Sequence, residues 1–266
     1  MSDGSIRVGI GGWTYAPWRG SFYPPGLAQT AELAHASRQL TAIEINSTYH
    51  GTQRRSSFAK WCDATPEGFV FSLKASRYAT QRRVLAEAGE SIERFVGSGI
   101  AELGPKLGPI VWQLPPTHRY DADDLAAFFG LLPRDAEGVP LRHAIEVRHA
   151  SFETTGFVDL ARRHGIAIVF TDAEQFPSIA DLTADFVYAR LMRSSAELEQ
   201  GYAPEALDAI AATARAWAAG AQPVNLAYVD ASRSAPAQPR EAYIYFINGA
   251  KEKAPAAATA LLRRLG

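Results

Sequence analysis

The sequence predicts a (β/α)8 TIM barrel, an α/β fold with a parallel eight-stranded sheet, as a single domain over residues 1–266. Three observations predict it. Short β-rich runs alternate with longer helical patterns. The runs recur roughly every 20–40 residues, the size of a βα unit. Nearly every run also ends in a polar or charged residue at its C-terminal end, the end that carries the active site in such barrels. A doubly wound open sheet is the other architecture this alternation allows.

The predicted strands are Arg7–Gly11, Ala42–Asn46, Phe69–Lys74, Pro109–Leu114, His143–Arg148, Ala167–Asp172, Phe186–Arg190 and Tyr243–Asn248. Phe69-Val70-Phe71, Ile166–Phe170 and Tyr243–Ile247 are near-continuous apolar runs, as strands buried on both faces require. Helical patterns fall near 27–40, 53–64, 91–103, 121–131, 155–164, 203–219 and 255–265. Asp121 ahead of Asp123 and Asp124 marks a helix N-terminus. Gly165 after Arg162-Arg163-His164 marks a C-terminus, and Pro204 suits a first turn. Residues 222–241, rich in Pro, Ala and Ser, are expected to form a surface insertion before the last strand.

Composition narrows the function class. The net charge is −1, from 27 basic and 28 acidic residues, so a protein that coats nucleic acid is not expected. One cysteine, Cys62, leaves no internal disulfide and is expected to pack as a small apolar residue on a helix. The start, Met1-Ser2-Asp3-Gly4-Ser5, lacks the apolar core of a signal peptide, and no apolar run approaches the ~20 residues of a membrane span. The expectation is a cytoplasmic protein with no membrane partner.

The strand ends carry the chemistry. Side chains alternate along a strand, so Glu44 and Asn46 share one face, with Ile43 and Ile45 opposite. Glu146 and Arg148 likewise oppose Ile145 and Val147. The polar pairs are expected to point into the barrel mouth, joined by Lys74, Gln113, Asp172, Arg190 and Asn248 from the other strands. A ring of acids, bases and amides avoids the cost of unpaired buried charge by pairing internally and with a ligand. An internal salt-bridge cap is the structural alternative. Trp13, Tyr15, Tyr49 and His149 follow strand ends and are expected to line the site, while Trp18, His50, Tyr78 and Phe152 lie in the same loops. Arg54, Arg55, Arg77, Arg82, Arg83, Arg119 and Arg193 add local positive charge, which favours an anionic ligand.

Several motifs are absent. Gly9-Ile10-Gly11-Gly12 follows a strand, but Thr14 occupies the third glycine position of a dinucleotide fingerprint and no helix opens there. The sequence holds no Walker loop, H-E-x-x-H or G-x-S-x-G, and its six histidines lack zinc spacing; His143 is expected to face outward. Glu44, Glu146 and Asp172 offer oxygen ligands to a divalent metal. Lys74, Arg148 and Arg190 would repel one, so no cofactor and no metal site is predicted.

Gly9–Tyr15 with Trp18 and Tyr23-Pro24, then Glu44–Tyr49, Phe69–Lys74 with Ser76-Arg77-Tyr78, Leu107-Gly108-Pro109 through Gln113–Pro116, and Glu146–His149 with Ser151 occur in the order of one family. The chain resembles the domain of unknown function 72 (YecE-like) family over nearly its whole length. The resemblance implies a TIM barrel. A distant similarity of that family to endonuclease-four-like barrels implies phosphodiester chemistry on nucleic acid. The sequence departs from the family pattern at Thr80-Gln81, where Thr-His is frequent, and at Ser151-Phe152, where Ser-Trp is. It departs again at Arg190–Arg193, where Arg-Leu-His-Gly is frequent, and at Ile247-Asn248-Gly249, where paired asparagines are. Two histidines are thereby absent, which weighs against metal-dependent nuclease chemistry.

The residues together predict an enzyme with hydrolase, lyase or isomerase chemistry on a small anionic (phosphate- or carboxylate-bearing) or polyol substrate. Glu44 and Glu146 are the expected acid/base pair. Lys74, Arg148 and Arg190 would hold the anion, Gln113, Asn46 and Asn248 would orient it, and Asp172 would orient a cation or act as a second base. A nucleic-acid-processing barrel using Arg54, Arg55, Arg82 and Arg83, and a non-catalytic ligand-binding barrel, are the other two function classes the sequence supports.

Overall fold

The computed structural model describes residues 4–266; Met1–Asp3, part of the polar N-terminal run read above, lie outside the described residues. Eight barrel strands follow in chain order: β1 Ile6–Gly11, β2 Ala42–Ile45, β3 Val70–Lys74, β4 Leu107–Gln113, β5 His143–Glu146, β6 (Ala167–Ile168 and Phe170–Thr171), β7 Phe186–Leu191 and β8 Glu241–Phe246. Every barrel pairing is parallel, in the spatial order β6-β5-β4-β3-β2-β1-β8-β7-β6. The two edges of that sheet are successive pieces of β6, interrupted at Val169, so the barrel closes through this strand. A two-residue hairpin, Asp135–Ala136 with Val139–Pro140, precedes β5.

The longer helices are α1 Glu32–Gln39, α2 Arg55–Asp63, α3 Gly89–Val96, α4 Ala122–Leu131, α5 Thr155–His164, α6 Pro204–Ala218 and α7 Ala254–Leu265. Asp121 caps α4 by accepting from the backbone N–H groups of Asp123 and Asp124, each at 3.0 Å. Gly165 ends α5 in the left-handed region, as its place after a basic turn predicts. The helix expected at 91–103 is shorter: it stops at Val96, and Gly99 at φ 105° opens a separate 3-10 segment, Ile100–Lys106. The pattern could not separate them, because Ile92, Phe95, Ile100 and Leu103 all bury against the same core.

The outward aliphatics Ile43, Ile45, Ile145 and Val147 pack against the helices, as the alternation requires. A second apolar set, including Val70, Val111, Ala144, Val169, Tyr188 and Tyr245, fills the barrel interior. Gly9 explains the glycine-rich first strand without a nucleotide. A Cβ there would lie 2.1 Å from the Ala42 carbonyl oxygen and 3.1 Å from the Tyr245 ring. Gly9 is therefore the small partner that lets β1 approach β2 and leaves room for Tyr245. We expect Gly9→Ala to cost about 3 kcal/mol by overpacking, read as a lowered urea midpoint at unchanged slope; no loss would show that β1 is free to shift.

One helix position is vacant. Residues 173–185, between β6 and β7, contain no helix. The long loop after α6 is stitched to this segment instead. Ala180 donates to the Ala227 carbonyl at 2.9 Å, and Asp181 accepts from the Val229 and Asp230 N–H groups at 2.7 and 3.0 Å. The loop expected at 222–241 thus ends sooner, since Glu241 opens β8, and it serves as part of the barrel wall. Beside it lies a cavity of about 420 Å³ between α6 and the outer faces of β6, β7 and β8, lined among others by Phe170, Ala189, Leu191, Ile244, Ile210 and Trp217. Among the described residues, no helix is long and apolar enough to cross a membrane.

Candidate functional site

Alternation brings six polar side chains to the C-terminal end of the barrel interior: Glu44 and Lys74 from β2 and β3, Gln113 from β4, Glu146 and Arg148 from β5 and the residues after it, and Arg190 from β7. Arg190 stands at the centre and is 1% exposed. Its Nε and Nη2 donate to the two carboxylate oxygens of Glu44 at 3.0 and 2.9 Å, a bidentate pair. Its Nη1 donates to Glu146 and, at 3.1 Å, to the Gln113 amide oxygen. Arg148 completes the set, donating from Nε to Glu146 at 2.6 Å and from Nη2 to Gln113 at 2.9 Å.

Tyr188, two residues before Arg190 on the same face, was not singled out in the sequence. Its hydroxyl donates to Glu44 at 2.7 Å. Burial, then the Glu44 charge, push that hydroxyl well above the ordinary tyrosine range, so it remains a donor. The i−2 spacing from Arg190 was the available signal. We expect Tyr188→Phe to cost about 2 kcal/mol, because a buried hydrogen bond to a charged group is lost. Equal urea midpoints for the two proteins would show that bond to be worthless.

The charges are ordered by what surrounds them. Burial pushes the Glu146 carboxyl up, but Arg190 and Arg148 more than offset this and hold it below its usual range. Glu44 gives both oxygens to Arg190. Lys74 is different: its Nζ has no oxygen partner among the described residues and sits 4.1 Å from the centre of the Tyr49 ring. Burial, followed by repulsion from Arg190 and Arg148, outweighs the attraction of Glu44 and Glu146 and holds Lys74 down at about 8. Tyr49 is fixed in turn by Gln81, whose Nε2 donates to its hydroxyl at 2.7 Å. Gln81 occupies the position where the family resemblance leads one to expect histidine. Arg148 lies over the Phe176 ring at 4.4 Å, another contact the sequence did not suggest.

The remaining expected site residues are placed differently. Asn46 stays beside the mouth, donating to the Glu44 carbonyl at 3.3 Å, and a Cβ on Gly11 would meet its amide. Asp172 faces the outer wall, not the mouth. Val169 and Thr171 occupy the inner positions of β6, so Asp172 points out, where it accepts from the Met192 N–H at 2.6 Å and the Tyr202 hydroxyl at 2.8 Å and lines the outer cavity. Burial raises its pKa despite those donors. Asn248 is exposed and follows the inward Ile247, so parity turns it away too. The His149 ring caps the turn Ala150–Phe152 through Ser151. Trp13 packs edge-on against Trp61 at 5.2 Å in the outer core, and Tyr15 packs against Trp18 under the Lys251 ammonium. His143 does face outward, as expected, and its Nδ1 accepts from Trp112.

The metal alternative loses geometric support, and the phosphate alternative loses two of its four arginines to internal partners. The three acids offered to a divalent metal do not converge, since Asp172 is on the other side of the wall, and among the described residues no group of three His, Cys, Asp or Glu side chains could hold an ion. Of the arginines assigned to phosphates, Arg55 is ion-paired with Glu102 and Glu137, and Arg82 donates to the Tyr78 carbonyl and Ser91.

Comparison with known proteins places the chain in a family. Solved DUF72 family proteins share the fold: one from Thermotoga maritima MSB8 has a TM-score of 0.73 at 21% identity, covering 98% of this chain and 99% of that one. Another, from Enterococcus faecalis V583, has a TM-score of 0.69 at 18% identity, covering 98% and 97%. A xylose isomerase-like TIM barrel/4-hydroxyphenylpyruvate dioxygenase fusion protein has a TM-score of 0.54 at 13% identity, with 98% of this chain against 42% of that one. These likenesses show a shared TIM-barrel fold. The UPF0759 protein YunF of Bacillus subtilis (strain 168) is 28% identical over 116 residues, which span 42% of this chain and 40% of YunF. The family model described as "Protein of unknown function DUF72" matches residues 7–266, and the chain belongs to that family.

Proposed function

We propose that the chain is an enzyme that binds a small carboxylate- or phosphate-bearing molecule at the C-terminal mouth of its barrel and uses Lys74 for chemistry on it. The unpartnered Lys74 Nζ beside a charge-paired Glu44–Arg190–Glu146–Arg148 set carries this reading. Two acids and three bases face one another there, so the mouth with Lys74 protonated has a surplus positive charge and no internal partner for it. An anionic group on the substrate is the natural counter-ion. Arg148 binds it with Nη1, the guanidinium nitrogen that neither Glu146 nor Gln113 occupies.

The acid/base role moves from the carboxylates to the lysine. Glu146 is held ionised between two arginines, and Glu44 is fully bonded to Arg190 and Tyr188, so both act as a rigid charged frame. Burial holds Lys74 down at about 8, closer to neutral than an ordinary lysine, as a general base or nucleophile needs. Lyase and isomerase reactions at a carbon activated by a neighbouring acid or carbonyl group fit this arrangement best.

The test is a thermal-shift screen with small carboxylates, sugar phosphates, polyols and short oligonucleotides, followed by NMR detection of turnover. A ligand at 100 times its Kd adds roughly 2.7 kcal/mol of stability. We expect shifts with phosphates or carboxylates and turnover that disappears in Lys74→Met. Shifts by oligonucleotides alone, falling steeply with salt, would favour nucleic-acid processing instead. Binding without turnover of any bound compound would make the mouth a receptor.

A further inference from the structure

We infer that Lys74 is an imine-forming residue, whose Nζ bonds to the carbonyl carbon of a small 2-oxo acid or aldose phosphate while Arg148 holds the acid group. The inference rests on the anion-binding reading above and adds the bond that forms.

The sequence has five lysines, at 60, 74, 106, 251 and 253, and their surroundings separate them. Lys106 gives its Nζ to the Cys62 and Thr65 carbonyls, at 2.5 and 2.7 Å, and to the Thr65 hydroxyl. Lys60 is exposed. Lys251 lies over the Tyr15 and Trp18 rings in the loop after β8. Lys74 alone stands on a barrel strand facing the mouth, with an aromatic ring on one side. The carboxylates that would neutralise it are already taken by arginines. Glu44 and Glu146 balance Arg148 and Arg190 charge for charge. The unprotonated amine therefore leaves a neutral mouth, which is the state that attacks a carbonyl.

The chemistry balances without an oxidant or reductant. The Nζ lone pair adds to the carbonyl carbon, and the C=O π pair passes to oxygen, which takes up a proton as nitrogen releases one. The carbinolamine oxygen then gains a second proton from solvent and leaves as water, and the nitrogen lone pair forms the iminium C=N bond. The sum is amine plus carbonyl plus one proton giving iminium plus water. The iminium charge is then matched by one negative charge of the bound acid group.

The test is reductive trapping on the full chain. The protein is incubated separately with glyoxylate, pyruvate and glyceraldehyde 3-phosphate, reduced with sodium borohydride, and its peptides are mapped by mass spectrometry. We expect Lys74 to be labelled at least tenfold more than Lys60 and Lys253 by one or more of the three, with a rate that reaches half its maximum near pH 8. Arg148→Met should lower Lys74 labelling at least tenfold. Lys74→Arg should abolish the selective label while keeping a cooperative thermal transition. Labelling of Lys60 and Lys253 equal to that of Lys74, or no adduct on Lys74, overturns the inference. If the same three compounds raise the unfolding temperature without an adduct, the anion site stands and the imine does not. If they do neither, both readings fall.

Discussion

Replacing Arg190 by methionine should cost about 3–5 kcal/mol of stability, the largest loss expected from any single change at the mouth. The reason is what the substitution leaves behind. Glu44 and Glu146 are 0% and 2% exposed, and Arg190 bonds both. Without it, two carboxylates face each other in the barrel with Tyr188, Arg148, the Lys74 charge and solvent to answer them. A triple variant, Glu44→Leu, Glu146→Leu and Arg190→Met, should recover part of that loss, because no carboxylate is left buried without its arginine, while Lys74 and Arg148 keep their charge. Urea denaturation of the three proteins at pH 7 decides the matter. A single variant as stable as the wild type would mean that water reaches the carboxylates and the frame is not dry.

Lys74→Met should act in the opposite direction on stability while abolishing function. Lysine ordinarily titrates at 10.5, and here it is held down at about 8. Below pH 8 both folded and unfolded chains carry the charge, and the folded chain bears the full cost, about 3 kcal/mol at one pKa unit per 1.36 kcal/mol. Between pH 8 and 10.5 the unfolded chain binds more protons than the folded one, so the wild type gains stability as pH rises. The methionine variant should therefore be more stable at pH 7, and its advantage should fade between pH 8 and 10.5. A constant advantage across that range would show that the gain comes from packing, not from charge. This is the expected cost of keeping an uncompensated amine at the proposed site.

Much of this mouth could be read from strand alternation. Glu44 with Asn46 and Glu146 with Arg148 fall on the inner face because Ile43, Ile45, Ile145 and Val147 must pack outward. The same alternation turns three of the expected site residues away. Asp172, Asn248 and His149 end their strands as Glu146 does, but they stand one residue out of phase with Thr171, Ile247 and Arg148. Parity from the apolar run in each strand faces them away from the mouth and faces Tyr188 into it. Other features depend on contacts between distant segments, which a local pattern does not carry. The vacant helix position after β6, the pairing of Asp181 with the loop at Val229 and Asp230, and the stacking of Arg148 on Phe176 are of this kind. Which charge Glu44 and Glu146 meet is likewise a distant contact, since their shared arginine partner, Arg190, comes from β7.

On the proposed reading the barrel mouth, and not the outer cavity, binds the anion. Calorimetric titration of inorganic phosphate and of glyoxylate into the wild type, Arg148→Met and Asp172→Asn tests it most directly. Binding of at least one of the two, weakened at least tenfold by Arg148→Met and unchanged by Asp172→Asn, is the predicted result. Binding that survives in Arg148→Met and is lost in Asp172→Asn would contradict the claim and move the site to the outer wall.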